Sequence, residues 1–116
     1  MTDKSAIGKK GEELAAAYLE QKGYRVVARN YRYKRFEIDL IVQKENWLLF
    51  VEVKTRSSSA FGEPETFVDA RKGRRIFEAA EEYIFSNNWR GHIRFDIIAI
   101  KQGNPPEIRH FEDAIH

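Results

Sequence analysis

The stretch Trp47-Leu-Leu-Phe-Val-Glu-Val-Lys-Thr55 restricts the fold of this chain more than any other. It is rich in β-branched and aromatic residues. Read with a period of two, Leu49, Val51 and Val53 point one way while Leu48, Phe50, Glu52 and Lys54 point the other. Both faces begin apolar, so the strand must be covered on both sides, as the central strand of a layered α/β domain is. It then carries Glu52 and Lys54 into surroundings where desolvation is expensive. Charges placed there need partners or a task.

A chain of 116 residues with 42% hydrophobic side chains suits one domain, spanning 1–116, with a real core. Twenty Lys and Arg against eighteen Asp and Glu leave a formal charge of only +2, so any nucleic-acid role has to rest on local clusters. The absence of cysteine excludes a disulfide scaffold, a zinc ribbon and thiol catalysis, and it fits a reducing, cytoplasmic setting. Met1 to Lys10 holds no apolar stretch of signal-peptide length, and later apolar runs are strand-sized, so no membrane anchor is expected.

Apolar or small residues at Ile7, Gly11, Leu14, Ala15, Tyr18 and Leu19 predict a helix over Ser5–Lys22, stopped by Gly23. Tyr24–Ala28 reads as a strand, followed by a basic connection, Arg29–Arg35, in which aromatics alternate with cations. Phe36–Gln43 and Trp47–Thr55 read as neighbouring antiparallel strands, and Arg56–Glu65 as a loop. Helical spacing returns from Phe67 through Gly73, Ile76, Phe77, Ala80, Tyr83 and Ile84, ending near Asn87-Asn88. His92–Lys101 is a further strand, and Glu107–Phe111 adds a short edge strand. The predicted order is αβββαβ(β).

In Phe36–Gln43, Ile38, Leu40 and Val42 should share one face, with Glu37, Asp39 and Ile41 on the other. If the intervening loop is Lys44–Trp47, Gln43 pairs with Leu48, and Asp39 therefore falls opposite Glu52. Two facing carboxylates are tolerable only with a raised pKa, a cation between them, or a basic neighbour such as Lys54. Oxygen-only ligands suit Mg²⁺ or Mn²⁺, which keep several waters and can make one of them a nucleophile, with Lys54 holding or activating it. On the first helix Glu12 lies at the border of the apolar stripe and Glu13 points to solvent, so Glu12 is the better-placed third acid.

Gly8-Lys-Lys-Gly-Glu12-Glu-Leu-Ala15, Glu37-Ile-Asp-Leu-Ile41 and Phe50-Val-Glu-Val-Lys-Thr-Arg56 resemble the YraN-like bacterial proteins and, through them, the PD-(D/E)xK nuclease superfamily. The likeness continues through Val68-Asp-Ala-Arg-Lys72 and Arg94-Phe-Asp-Ile-Ile98, nearly the whole chain. It implies a restriction-endonuclease-like core, similar to archaeal Holliday junction resolvases, with a mixed central sheet flanked by helices. By the same resemblance Glu12 matches the helix acid, Asp39 the motif aspartate, and Glu52 and Lys54 the ends of E-x-K, with the Val53 carbonyl as a further ligand. Ile38 stands where the superfamily name has Pro, and bulky Phe36 where YraN-like chains often carry Gly.

Plainer readings stand beside these. Glu52 and Lys54 also suit an ordinary strand-end ion pair, worth about 0–1 kcal/mol if exposed. Arg71, Lys72, Arg74 and Arg75, and Arg29, Arg32, Lys34 and Arg35, are two basic blocks, and Arg56 opens the loop that follows the charged strand end. Each is a candidate phosphate contact or a solvated face. Tyr31, Tyr33 and Phe61 suit packing better than base stacking. Asp96 reads as a structural acid held by a cation, and His92, His110 and His116 as scattered surface residues. The expectation is a Mg²⁺- or Mn²⁺-dependent nuclease acting on DNA, branched or structured, with RNA left open. Symmetric cutting would call for a homodimer. The alternatives are a nucleic-acid-binding module without turnover and a purely structural interaction protein.

Overall fold

Leu49 and Val51 pack beneath one helix and Leu48 and Phe50 beneath another, each almost wholly buried, as a strand apolar on both faces requires. The computed structural model in which this is seen describes residues 4–56 and 69–116. Its elements are α1 (Lys4–Gln21), β1 (Arg25–Tyr33), β2 (Phe36–Lys44), β3 (Trp47–Arg56), α2 (Ala70–Ser86), β4 (His92–Lys101) and β5 (Glu107–Phe111). The strands form one mixed sheet in the order β1-β2-β3-β4-β5. All neighbours are antiparallel except β3 and β4, whose parallel pairing requires a crossover, and α2 lies on it.

α1 buries Ala15, Ala16 and Leu19 against Leu40, Val42, Leu49, Val51, Ile98 and Ile100. It stops at Gly23, whose φ of +96° suits a residue without Cβ, while Tyr24 N–H returns to the Leu19 carbonyl at 3.0 Å. A Cβ on Gly11 would run into Thr55 Oγ1, so the bare position lets α1 lie close against the end of β3. α2 covers the other face with Ala79 and Ala80. It begins at Asp69, whose carboxylate accepts the Lys72 N–H at 2.8 Å, and it ends at the predicted Asn87.

Three expectations change. The basic connection is largely strand: Arg29 and Arg32 belong to β1, and only Lys34 and Arg35 form the turn, with Lys34 at φ 57°. The alternation of cations with aromatics there was itself a strand pattern, because Tyr31 and Tyr33 pack on the α2-side core. Arg56 ends β3 rather than opening a loop; the rest of the predicted loop, Phe61 and the helix start at Phe67 lie outside the described residues. Finally, Ile38 joins Ile41 in the α2-side core instead of sharing a face with Leu40. The β1–β2 ladder shifts register between Val26 and Ala28, and opposite Asp39 the strand β1 carries Asn30 at φ 49°, between the Arg29–Leu40 and Tyr31–Ile38 pairs.

The β2–β3 ladder runs from Lys44–Trp47 through the predicted Gln43–Leu48 pair and stops at Leu40–Val51. β1 stays paired with β2 as far as Tyr33–Phe36, and β3 stays paired with β4 as far as Arg56–Lys101. The sheet therefore splits between β2 and β3, and Asp39 and Glu52 are the first residues beyond the split.

Candidate functional site

Past the last ladder pair, the Val53 N–H would face the gap without a strand partner. Asp39 supplies one: its Oδ2 accepts that N–H at 2.7 Å. Glu52, on the next position of β3, is 6% exposed, and its Oε1 lies 3.8 Å from Lys54 Nζ and 3.5 Å from Lys72 Nζ. Its Oε2 is buried with no hydrogen-bond partner. A buried carboxylate oxygen left without a donor is costly, about 1–3 kcal/mol or more for a charged group.

Burial and the neighbouring Glu52 carboxylate push the Asp39 pKa up to about 7, against the single opposing hydrogen bond from Val53 and the charge of Lys54. Lys54 moves the other way. Burial and the adjacent Lys72 ammonium lower its pKa, and Glu52 and Asp39 only partly restore it. Two acids and two ammoniums thus meet where neither pair holds its full charge comfortably, a pattern found more often at reactive sites than in structural ion pairs.

The split opens a cleft of about 490 Å³, lined by Asp39, Glu52, Val53 and Lys54, by Gly8 and Glu12 of α1, and by Gln102 beyond β4. Glu12 reaches it from the border of the helix stripe as expected, while Glu13 is exposed. Its Oε1, however, takes the Asn30 amide at 3.2 Å, and burial raises its pKa. Among the described residues no three His, Cys, Asp or Glu side chains stand close enough to hold a metal ion. The structure brings Asp39, Glu52 and Lys54 together and leaves Glu12 at the wall.

The second basic block divides. Lys72 belongs to the cleft through Glu52, whereas Arg75 shares a groove of about 430 Å³ with Lys34 and Arg35 of the β1–β2 turn. The two blocks predicted separately therefore converge. Arg71 and Lys72 occupy the first turn of α2, where the helix dipole disfavours cations, so local stability does not explain their presence. Arg71 and Arg74 are exposed, and Arg32 is engaged by Glu37 at 3.1 Å. Sequence reading missed Asn30 and Gln102, which carry no motif, and it treated Lys72 only as a phosphate contact. The Asp69 cap, which fixes where α2 starts, was the available signal for its inward position.

Asp96 is the structural acid expected. It is fully buried and accepts from Arg94 Nε at 2.9 Å, Arg94 Nη2 at 3.0 Å, His110 Nε2 at 2.7 Å and Asp113 N–H at 3.0 Å. Burial alone would raise its pKa, but these donors outweigh it and the pKa is lowered. His110 is thus not a surface residue: its side chain is 5% exposed, and Nδ1 faces the Tyr18 hydroxyl at 3.3 Å. His92 and His116 are exposed. Tyr31 packs edge-on against Tyr83, with centroids 5.2 Å apart, as the packing reading held.

Residues 11–100 match the model of the uncharacterised protein family UPF0102. A UPF0102 protein of Flavobacterium psychrophilum is 45% identical over 117 residues, covering 100% of this chain and 98% of its own length. One from Cytophaga hutchinsonii is 48% identical over 90 residues, 78% of this chain and 80% of that one. Another, from Rhodococcus opacus, is 42% identical over 118 residues, 98% and 99% respectively. The chain belongs to the UPF0102 family. The UPF0102 match takes in Glu12, Asp39, Glu52, Lys54 and Lys72, and it ends before Gln102 and β5. No helix among the described residues is long and apolar enough to cross a membrane.

Proposed function

We propose that this UPF0102 protein is a divalent-metal-dependent phosphodiesterase acting on DNA, built on a restriction-endonuclease-like core of the PD-(D/E)xK kind. The observation that carries the reading is the Asp39–Glu52 pair at the split in the sheet: a buried and a half-buried carboxylate, one oxygen without a donor, and Lys54 beside them in an open cleft. The donor set fits Mg²⁺ or Mn²⁺, which bind through one or two carboxylates, retain waters, and require no third acid. Asp39 and Glu52 would hold the ion, with the Val53 carbonyl as a further ligand. Glu12 would act from the cleft wall. When bound, the ion lowers the pKa of a coordinated water and offsets charge developing on the phosphate.

The side chains of the chain supply the rest. Asp39 orients its carboxylate through the Val53 N–H, and Lys54, with its lowered pKa, holds the attacking water at Nζ and takes part in its proton transfer. Lys72 neutralises Glu52 until substrate arrives and then faces a phosphate oxygen. Arg71, Arg74 and Arg75 of α2, with Lys34 and Arg35 of the turn, hold the backbone on either side. Arg32 and Arg56 stand at the ends of the strands feeding the cleft. Symmetric cutting of a branched substrate would use a second copy of the chain.

The test is cleavage of labelled single-stranded, duplex, flap and four-way DNA, and of an RNA control, with Mg²⁺ or Mn²⁺. The Asp39→Ala and Lys54→Ala proteins are run alongside. Metal-dependent cutting lost in both variants supports the reading; cutting retained in both assigns the activity to a contaminant. A second reading, a DNA-binding module without turnover, is favoured by one observation: Lys72 already gives Glu52 a cation partner. It predicts salt-sensitive binding and no cleavage with any metal.

A further inference from the structure

A second cavity, about 410 Å³, adjoins the carboxylate cleft, and the two share Ile7, Thr55 and Gln102 as a common wall. Ile7, Gly11 and Leu14 follow one another on a single helical face and line the cavity together with Thr55 and Ile100. Pro106 adds to the apolar floor, while the exposed amides of Gln102 and Asn104 stand at the rim.

We propose that this cavity takes one unpaired nucleobase. The substrate class is then nucleic acid with an unstacked nucleotide next to the phosphodiester held at Asp39, Glu52 and Lys54. The inference rests on the phosphodiesterase reading above. A nucleobase has apolar faces and a polar edge carrying both donors and acceptors, and the cavity offers the complement: aliphatic walls below and two primary amides, each donor and acceptor, above. A base inside a duplex cannot enter a hollow, because it must first leave its stack and its partner. A bulged, flapped or single-stranded base has already done so. Lys10 also lines the cavity and stands ready for the phosphate of the nucleotide whose base enters it, while the carboxylates lie in the adjoining cleft.

The test is fluorescence anisotropy with the Lys54→Ala protein, which leaves DNA intact under the proposed mechanism. Three probes are compared at fixed salt: a fully paired duplex, the same duplex with one bulged adenosine, and the same with one bulged abasic nucleotide. The bulged adenosine should bind about tenfold tighter than the paired duplex, and the abasic bulge should lose that gain, since stacking of one base against the protein supplies it. Adding Leu14→Trp, or Asn104→Trp on the exposed rim where folding is not at stake, should bring the bulged adenosine down to the paired value without altering paired binding. Equal affinity for all three probes, or a preference that survives both Trp variants, overturns the base pocket and leaves the phosphodiesterase reading standing. No binding to any probe overturns both.

Discussion

Asp39 and Asp96 are the same residue type in strands of one sheet, the first half-buried and the second buried, and their surroundings as carboxylates differ sharply. Asp96 receives four hydrogen bonds from Arg94, His110 and the Asp113 N–H, and its pKa is lowered. Asp39 receives one backbone hydrogen bond, from the Val53 N–H, faces a second carboxylate with an orphaned oxygen, and has a pKa raised to about 7. A structural acid is surrounded by donors that leave it no capacity. An acid with capacity left over, beside a like charge and in an open cleft, is what the metal-dependent reading proposed above requires.

The comparison is broken most sharply by Asp96→Ala, which strands Arg94 and His110 without their shared partner. It should destabilise the fold by about 3–5 kcal/mol, the usual cost of removing one member of a buried ionic network, read from the urea midpoint. A loss below about 1 kcal/mol would mean that the four contacts are not the anchor described. Lys54→Ala should reverse the profile: stability near that of wild type, DNA binding largely kept, and cleavage down at least about 100-fold in single-turnover assays. Wild-type turnover in that variant would remove Lys54 from the mechanism.

The pH dependence of stability distinguishes the two acids in sign. Because the folded pKa of Asp39 is raised to about 7, its contribution is fully present below its ordinary value of 3.8 and is lost as pH rises through about 7. Asp96, with a lowered pKa, contributes above 3.8, and that contribution is lost as pH falls through its folded value. Asp39→Asn should therefore flatten the decline between about pH 4 and pH 7 in urea titrations, and Mg²⁺ should do the same for the wild-type protein by neutralising the pair. An unchanged slope in both would count against the coupling of Asp39 with Glu52. A smaller effect is expected from Arg71→Glu combined with Arg75→Glu, which should weaken DNA binding and reduce the magnitude of its log–log salt slope by about 2. An unaltered slope would exclude these residues as phosphate contacts.

Much of this site was legible in the sequence because strand alternation and a short turn are strict devices. Once Lys44 and Trp47 close the hairpin, Gln43–Leu48 and Leu40–Val51 follow, and Asp39 has to stand beside Glu52. The faces of Ile38 and the length of β1 were not legible, since the β1–β2 ladder carries a register shift between Val26 and Ala28 and a left-handed residue at Asn30, which no periodicity announces. His110 escaped for a related reason. Its burial comes from Tyr18 and Asp96, which are 92 and 14 positions away in sequence, and only the folded sheet brings the three together.

The split between β2 and β3 has a consequence for how much chain a binding cleft requires. Concavity in small proteins is commonly obtained by adding loops or a second domain, because a continuous sheet covered by helices has no hollow to offer. Here the outer hairpin β1–β2 leaves as a unit, with its own ladder intact, and Asp39 mends the backbone position it exposes. The hollow is therefore a dislocation in the sheet rather than an appendage. Continuing the β2–β3 ladder past Leu40–Val51 would zip the sheet shut and erase it, even with every charged residue still in place.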